Sequence, residues 1–148
     1  MNIERFLYRG KRLDNGELVI GSLVMNHSSH SICKPSTSQA GARKFFKVDP
    51  ATIGQCTGLK DRHGKLIFDG DLCKGEYREI EVDKDGKPYE GDNVCTYIEV
   101  VRYCVDQGGY MLTTGNDGEM SVLDINAAAR VEVVGNVHDN ADLLEVQS

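Results

Sequence analysis

Apolar and polar residues alternate along most of the chain with the two-residue period of β-strands, and turn residues punctuate them at short intervals. Residues 5–9 hold an apolar run that Gly10 stops, and residues 18–25 read as the returning strand of a hairpin. Between them lies Asp14-Asn15-Gly16; Asn-Gly is the strongest signal for a two-residue hairpin turn, in which both central residues take positive φ. Residues 26–42 are rich in Ser, Gly and His, which predicts an exposed loop. Phe45, Phe46 and Val48 form a short strand that Asp49-Pro50 ends, because proline lacks the amide donor and fixes φ.

Two further strands, 52–59 and 65–68, flank the turn Asp61-Arg62-His63-Gly64, and Asp69-Gly70-Asp71 then kinks the chain into Leu72 and Cys73. The charged stretch 75–92 has a tight turn at Asp85-Gly86, and its flanks, 77–82 and 94–105, are expected to pair as a long hairpin. Gly108-Gly109 ends this segment, 110–114 returns, and Asn116-Asp117-Gly118 marks another turn. Residues 131–137 are apolar on both faces, which predicts a central strand. Only 122–129 and 140–146 read as helical, the latter with Asp139 or Asn140 as N-cap. The prediction is a mainly β fold, a small barrel or roll with hairpin extensions and one or two short helices. Its expected core comprises Leu7, Ile20, Leu23, Ile53, Leu59, Ile67, Leu72, Val100, Val134 and Val137.

Composition narrows the classes. The 148 residues are 40% hydrophobic and 27% charged, which fits one globular domain over 1–148, with a subdivision into 1–50 and 51–148 as the alternative. No apolar run approaches the ~18 residues of a membrane helix, and charges interrupt the opening where a signal peptide needs its apolar stretch. Five cysteines with no paired spacing read as reduced thiols, hence a cytoplasmic protein. Charge is uneven: residues 1–65 carry 11 Lys+Arg and 5 Asp+Glu, a net of +6, whereas 66–148 carry 6 and 18, a net of −12. Such asymmetry points to an interaction surface.

Three stretches together resemble the YopX family of phage and prophage proteins. They are the opening, Tyr8-Arg9-Gly10-Lys11-Arg12 with Asp14-Asn15-Gly16-Glu17 and Gly21; the central run TIGQCTGLKDRHGKLIFDGDLCK at 52–74; and VGNVHDNADLL at 134–144. The family tends to have aromatic residues where Leu18 and Cys56 stand. The resemblance implies an SH3-like roll and a phage or prophage origin, and it brings no catalytic residues. Its motif positions, Thr52, Gly54, Gly58, Asp61, Gly64, Asp69, Gly70, Asp71, Gly135 and Asn136, read as structural: glycines for close approach and turns, aspartates for turn hydrogen bonds.

The candidate chemistry is thin. Glu81-Val82-Asp83-Lys84-Asp85-Gly86 with Asp92 mimics a calcium loop, but its end acids are reversed and Pro88 interrupts it, so a solvated hairpin tip is expected. His27, His30 and Cys33 would need Cys56 or Cys73 to complete a zinc site, and no metal or other cofactor is expected. His63 beside Asp61, His138 beside Asp139, and the pair Asp69 and Asp71 supply acids and bases but no recognisable catalytic constellation, so no enzymatic activity is expected. Arg43, Lys44, Phe45 and Lys47, next to Phe46, form a basic and aromatic cluster suited to a partner or to a nucleic acid strand, although a pI of 5.2 argues against nucleic acid. If 45 and 46 lie on one strand, at least one ring must face the core. The expectation is a non-enzymatic binding or assembly module that pairs with itself or with a phage or host protein; a nucleic-acid-binding module is the alternative. Self-association would cover the long apolar segment 97–105, whose only charged residues are Glu99 and Arg102.

Overall fold

The structure is a computed structural model describing residues 2–34, 41–114 and 119–145. It is mainly β, with two antiparallel sheets and a few short helices, and the chain divides into two compact units: 1–59 with 66–70, and 60–65 with 71–148.

The first unit carries a six-stranded sheet made of β1 (Tyr8–Lys11), β2 (Leu18–Met25), β3 (His30–Lys34), β4 (Lys44–Lys47), β5 (Gly54–Lys60) and β6 (Leu66–Phe68), in the order β4-β3-β2-β1-β5-β6. A 3₁₀ turn at Pro50–Thr52, capped by the Asp49 side chain, joins β4 to β5. An isolated bridge between Arg12 and Val48 connects the end of β1 to the residue after β4. Val19, Ile32 and Val48 are buried at the centre, with Tyr8, Leu23, Phe46 and Ile53 packed on them.

The second unit holds β7 (Asp71–Val82), β8 (Pro88–Cys104), β9 (Gly109–Thr113), β10 (Met120–Val122) and β11 (Glu132–Asn136), in the order β10-β9-β8-β7-β11. Helix α1 (Ile125–Ala128) is capped by the Asp124 carboxylate, and α2 (Asp142–Glu145) follows β11. Leu72, Cys73, Val100, Val101, Met111, Leu112, Leu123 and Val131 are buried here. β7 pairs with β11 only over 71–74, and β8 pairs with β9 only over 100–104. Beyond those positions the two long strands pair only with each other, as a protruding two-stranded arm closed at the Asp83–Gly86 turn.

The first hairpin forms as expected, but its loop is longer than two residues and only Gly16 has positive φ, at 72°. The stretch 26–42 is not all loop. It contains β3, where pairing with β2 and β4 buries Ile32 completely. Ile20 is 43% exposed, because alternation along β2 turns Val19 inward instead. Ile67, Leu72 and Val100 are buried as expected; Leu7, Leu23, Ile53, Leu59, Val134 and Val137 are half-buried. β11 is an edge strand rather than a central one, and a bulge between Val133 and Gly135 buries Val133 while leaving Val134 half-buried. Residues 122–129 yield one helical turn because Val122 belongs to β10. β7 pairs with 97–100 and β9 with 100–104, so only Val100 is paired on both sides and the rest of 97–104 keeps one edge unpaired by these strands. The turn at 116–118 lies outside the described residues.

Candidate functional site

The polar residues of the central and closing motifs are engaged in holding the chain together. Asp61 is 6% exposed at the end of β5. One carboxylate oxygen accepts the backbone N–H groups of His63 and Lys65, both at 2.9 Å, and the other accepts that of Val133 at 2.9 Å. Burial favours the neutral acid, but these three donors outweigh it and hold the carboxyl below its usual range. Thr52 Oγ1 donates to the Asp49 carbonyl at 2.7 Å and accepts the Lys11 N–H at 2.8 Å, fixing β1 to the 3₁₀ turn. Asn136 Oδ1 accepts the N–H groups of His138 and Asp139, both at 3.0 Å, and its amide donates to Asp139 Oδ2 at 3.1 Å.

The motif glycines have matching reasons. A Cβ on Gly54 would collide with the Asp69 carbonyl oxygen, and one on Gly135 with the Asn140 side chain. Gly58, Gly64 and Gly70 take left-handed φ values of 81°, 81° and 87°, which ordinary side chains disfavour.

The acid–base candidates do not assemble. Asp61 meets His63 through the backbone, while the imidazole lies 3.7 Å from Glu132 beside the Arg62–Glu132 ion pair. Asp69 precedes the Gly70 turn in the first unit, whereas Asp71 opens β7 opposite Asn136, so the two do not share a strand face. His30 and Cys33, three apart on β3, project to opposite faces. Asp83, in the calcium-like segment, accepts the N–H groups of Asp85 and Lys87, both at 2.9 Å, and so closes its own turn. Among the described residues no three His, Cys, Asp or Glu side chains form a metal-holding group.

Two exposed surfaces stand out among the described residues. The first is the β4 edge of the six-stranded sheet. Phe46 packs on the core, as strand alternation requires, and the Arg12 guanidinium sits 4.3 Å from its ring centroid. The Lys34 ammonium lies 5.9 Å from the same ring. Arg12 also pairs with Asp14; this hydrogen bond raises the guanidinium pKa and lowers that of the carboxyl. Phe45 is exposed, with Arg43 and Lys47 two positions to either side of it, while Lys44, also exposed, alternates to the face of Phe46. Lys34 was missed in the sequence because its strand lies inside the stretch read as loop; only the Lys34–Lys44 pairing brings it here.

The second surface is the arm, whose residues 76–90 are all exposed. Pairing of Tyr77 with Cys95 and of Glu81 with Tyr89 puts Tyr77, Tyr89, Tyr97, Glu79 and Glu81 on one face. The Tyr77 and Tyr97 rings lie 6.1 Å apart, and the Tyr89 hydroxyl donates to Glu81 at 2.7 Å, which raises the tyrosine pKa. The other face carries Glu76, Arg78, Ile80, Glu90 and Val94, and a shallow depression of about 470 Å³ is lined by Glu76, Tyr77, Arg78, Glu90 and Val94.

The YopX protein family profile matches residues 7–145. A crystal structure of protein EF1440 from Enterococcus faecalis is similar in fold, with a TM-score of 0.50 and 21% identity over 93% of this chain and 96% of that one. No curated protein matches the chain.

Proposed function

The chain belongs to the YopX family, and from that premise we propose that it is a phage- or prophage-derived, non-enzymatic binding or assembly module of the cytoplasm. The exposed arm carries this reading. It is a long ribbon with both faces in solvent, and an isolated two-stranded hairpin is only marginally stable in water. The motif's polar side chains support it from the other direction, since Asp61, Thr52 and Asn136 have their hydrogen-bonding atoms engaged by the fold. The five cysteines are thiols rather than disulfides, which fits a reducing compartment, and among the described residues no helix is long and apolar enough to cross a membrane.

The first unit is proposed to be an SH3-like roll. Its order β5-β1-β2-β3-β4, the 3₁₀ turn between β4 and β5, and the Arg12–Val48 bridge near the sheet's ends support that assignment.

Affinity-tagged full-length protein recovered from prophage-induced cells tests the module reading. A stoichiometric partner protein, or co-purification of untagged chain, is expected; the tagged chain returning alone at 16.3 kDa refutes it.

The β4 edge favours a second reading, a nucleic-acid-binding module. An exposed Phe45 on a strand edge that also carries Arg43, Lys44 and Lys47 offers a stacking platform next to cations. Binding of single-stranded DNA that weakens steeply with salt and disappears on neutralising those three cations is its expected signature.

A further inference from the structure

We propose that this chain forms a two-fold dimer by exchanging arms: the tyrosine- and glutamate-bearing face of each arm lies on the basic β4 edge of the other copy. The inference deepens the assembly-module reading and rests on it.

Charge selects the occupant. Between Glu76 and Asp92 there are seven carboxylates and three cations, so two arms laid on each other would repel. The face bearing Tyr77, Tyr89, Tyr97, Glu79 and Glu81 takes two carboxylates and no cation from those paired positions, with Arg130 near Tyr97 at its base, whereas the opposite face includes Arg78. The complementary surface is on the same chain's other unit. Residues 1–59 with 66–70 carry 8 Lys+Arg and 5 Asp+Glu, a net of +3, against 9 and 18, a net of −9, in the second unit. Arg43, Lys44 and Lys47 concentrate that positive charge along the β4 edge, with Arg43 and Lys47 two positions to either side of the exposed Phe45. Tyrosine rings suit this meeting, since they bury apolar area and also receive cations on their faces.

The docking is face-on. Pro88, the bulge between Arg78 and Ile80, and the density of charge all oppose adding another strand to the arm's edges. The face itself has the chemistry of an interface.

Area selects the two-fold arrangement. A free ribbon of eight residues is ~26 Å long and ~10 Å wide, so one docked arm removes only ~500 Å² from water on both partners together. That is the size of a crystal contact, and a stable interface needs roughly 1,000 Å². Reciprocal exchange doubles the area and closes the assembly, leaving no arm free to extend a chain of copies.

Light scattering of the full chain and two charge-reversal variants tests the proposal. One variant carries Glu79→Lys and Glu81→Lys; the other carries Arg43→Glu, Lys44→Glu and Lys47→Glu. All five positions are exposed, so both variants should keep the β circular dichroism of the parent. At low salt the parent should have twice the 16.3 kDa chain mass and fall towards 16.3 kDa as salt rises. Each variant alone should be monomeric at concentrations where the parent is dimeric, with a dissociation constant raised at least about tenfold. An equimolar mixture of the two should dimerise, because each acidic arm then meets a basic β4 edge and each reversed arm a reversed edge. A parent mass of 16.3 kDa at every concentration and salt overturns the proposal, as does a mixture that stays monomeric. A dimer indifferent to both reversals overturns this interface while leaving the assembly-module reading standing.

Discussion

Replacing Asp61 with alanine should destabilise the protein by about 2–5 kcal/mol. The carboxylate satisfies three backbone donors. The Val133 N–H is buried and no water can replace its acceptor, so stranding it costs about 1–3 kcal/mol. The His63 and Lys65 N–H groups lie on an exposed turn, where water recovers most of each bond, so losing them costs about 0.5–1 kcal/mol apiece. The sum is a large fraction of the ~5–15 kcal/mol that holds a typical domain together. At about 2–4 °C per kcal/mol for a chain of this size, the melting temperature should fall by roughly 10 °C. Asp61→Asn keeps one acceptor oxygen for the turn, but it sets an amide against the Val133 N–H or against the turn, and should cost about half as much.

The pH dependence fixes the cause. A carboxyl held below its usual range contributes stability above the unfolded pKa of ~3.9 and loses it as pH falls through the lower folded value. The gap between parent and Asp61→Ala should therefore be constant from pH 5 to 8 and narrow below pH 4. Urea titrations across that range measure it, and amide exchange at Val133 reports the local opening. An alanine variant melting within about 1 °C of the parent at pH 7, or a gap that widens in acid, would refute the reasoning.

Other substitutions follow from the same packing. Gly54→Ala puts a methyl against the Asp69 backbone carbonyl, which has no side-chain freedom to yield, and should cost about 2 kcal/mol or more in thermal melts. Val133→Asp should unfold the protein, whereas Val134→Asp, at the half-buried bulge position, should leave a folded chain with a lowered midpoint; equal midpoints would misplace the bulge. Phe46→Ala should cost about 2–3 kcal/mol through lost core contact, and Phe45→Ala less than about 0.5 kcal/mol, both by urea denaturation. Chelator should leave the melting temperature unchanged, and a shift of several degrees would revive the 27/30/33 or 81–92 metal readings.

Local signals made much of this fold legible. Turn residues at Gly16, Gly64 and Gly86 marked hairpins that do form, and the charged stretch 75–92 announced the arm. Strand β3 escaped because it offers only Ile32 and Cys33 among polar neighbours, and its burial comes from pairing with the neighbouring strands β2 and β4 rather than from its own apolar content. Val134 was preferred to Val133 because a bulge reverses the alternation, and nothing in a run of valines reveals where a bulge falls. The motif's turns at Gly64 and Gly70 were readable from its Gly and Asp content. The specific tie from Asp61 to Val133 was not, since 72 residues separate them. At the β4 edge the cluster 43–47 stood out as a sequence run, while Arg12 and Lys34 reach Phe46 only through the bridge and the sheet. That the arm's edges are unpaired by neighbouring strands is a property of topology: β9 and β11 stop short of it.

Amide hydrogen exchange along 75–99 tests most directly whether the arm is the working surface. In the parent, arm amides should exchange more slowly at concentrations where the dimer is populated than at dilutions where it is not. In the Arg43→Glu, Lys44→Glu, Lys47→Glu variant they should exchange at the fast rate at both. Arm exchange that is fast in the parent at every concentration, and identical in the variant, would contradict the account.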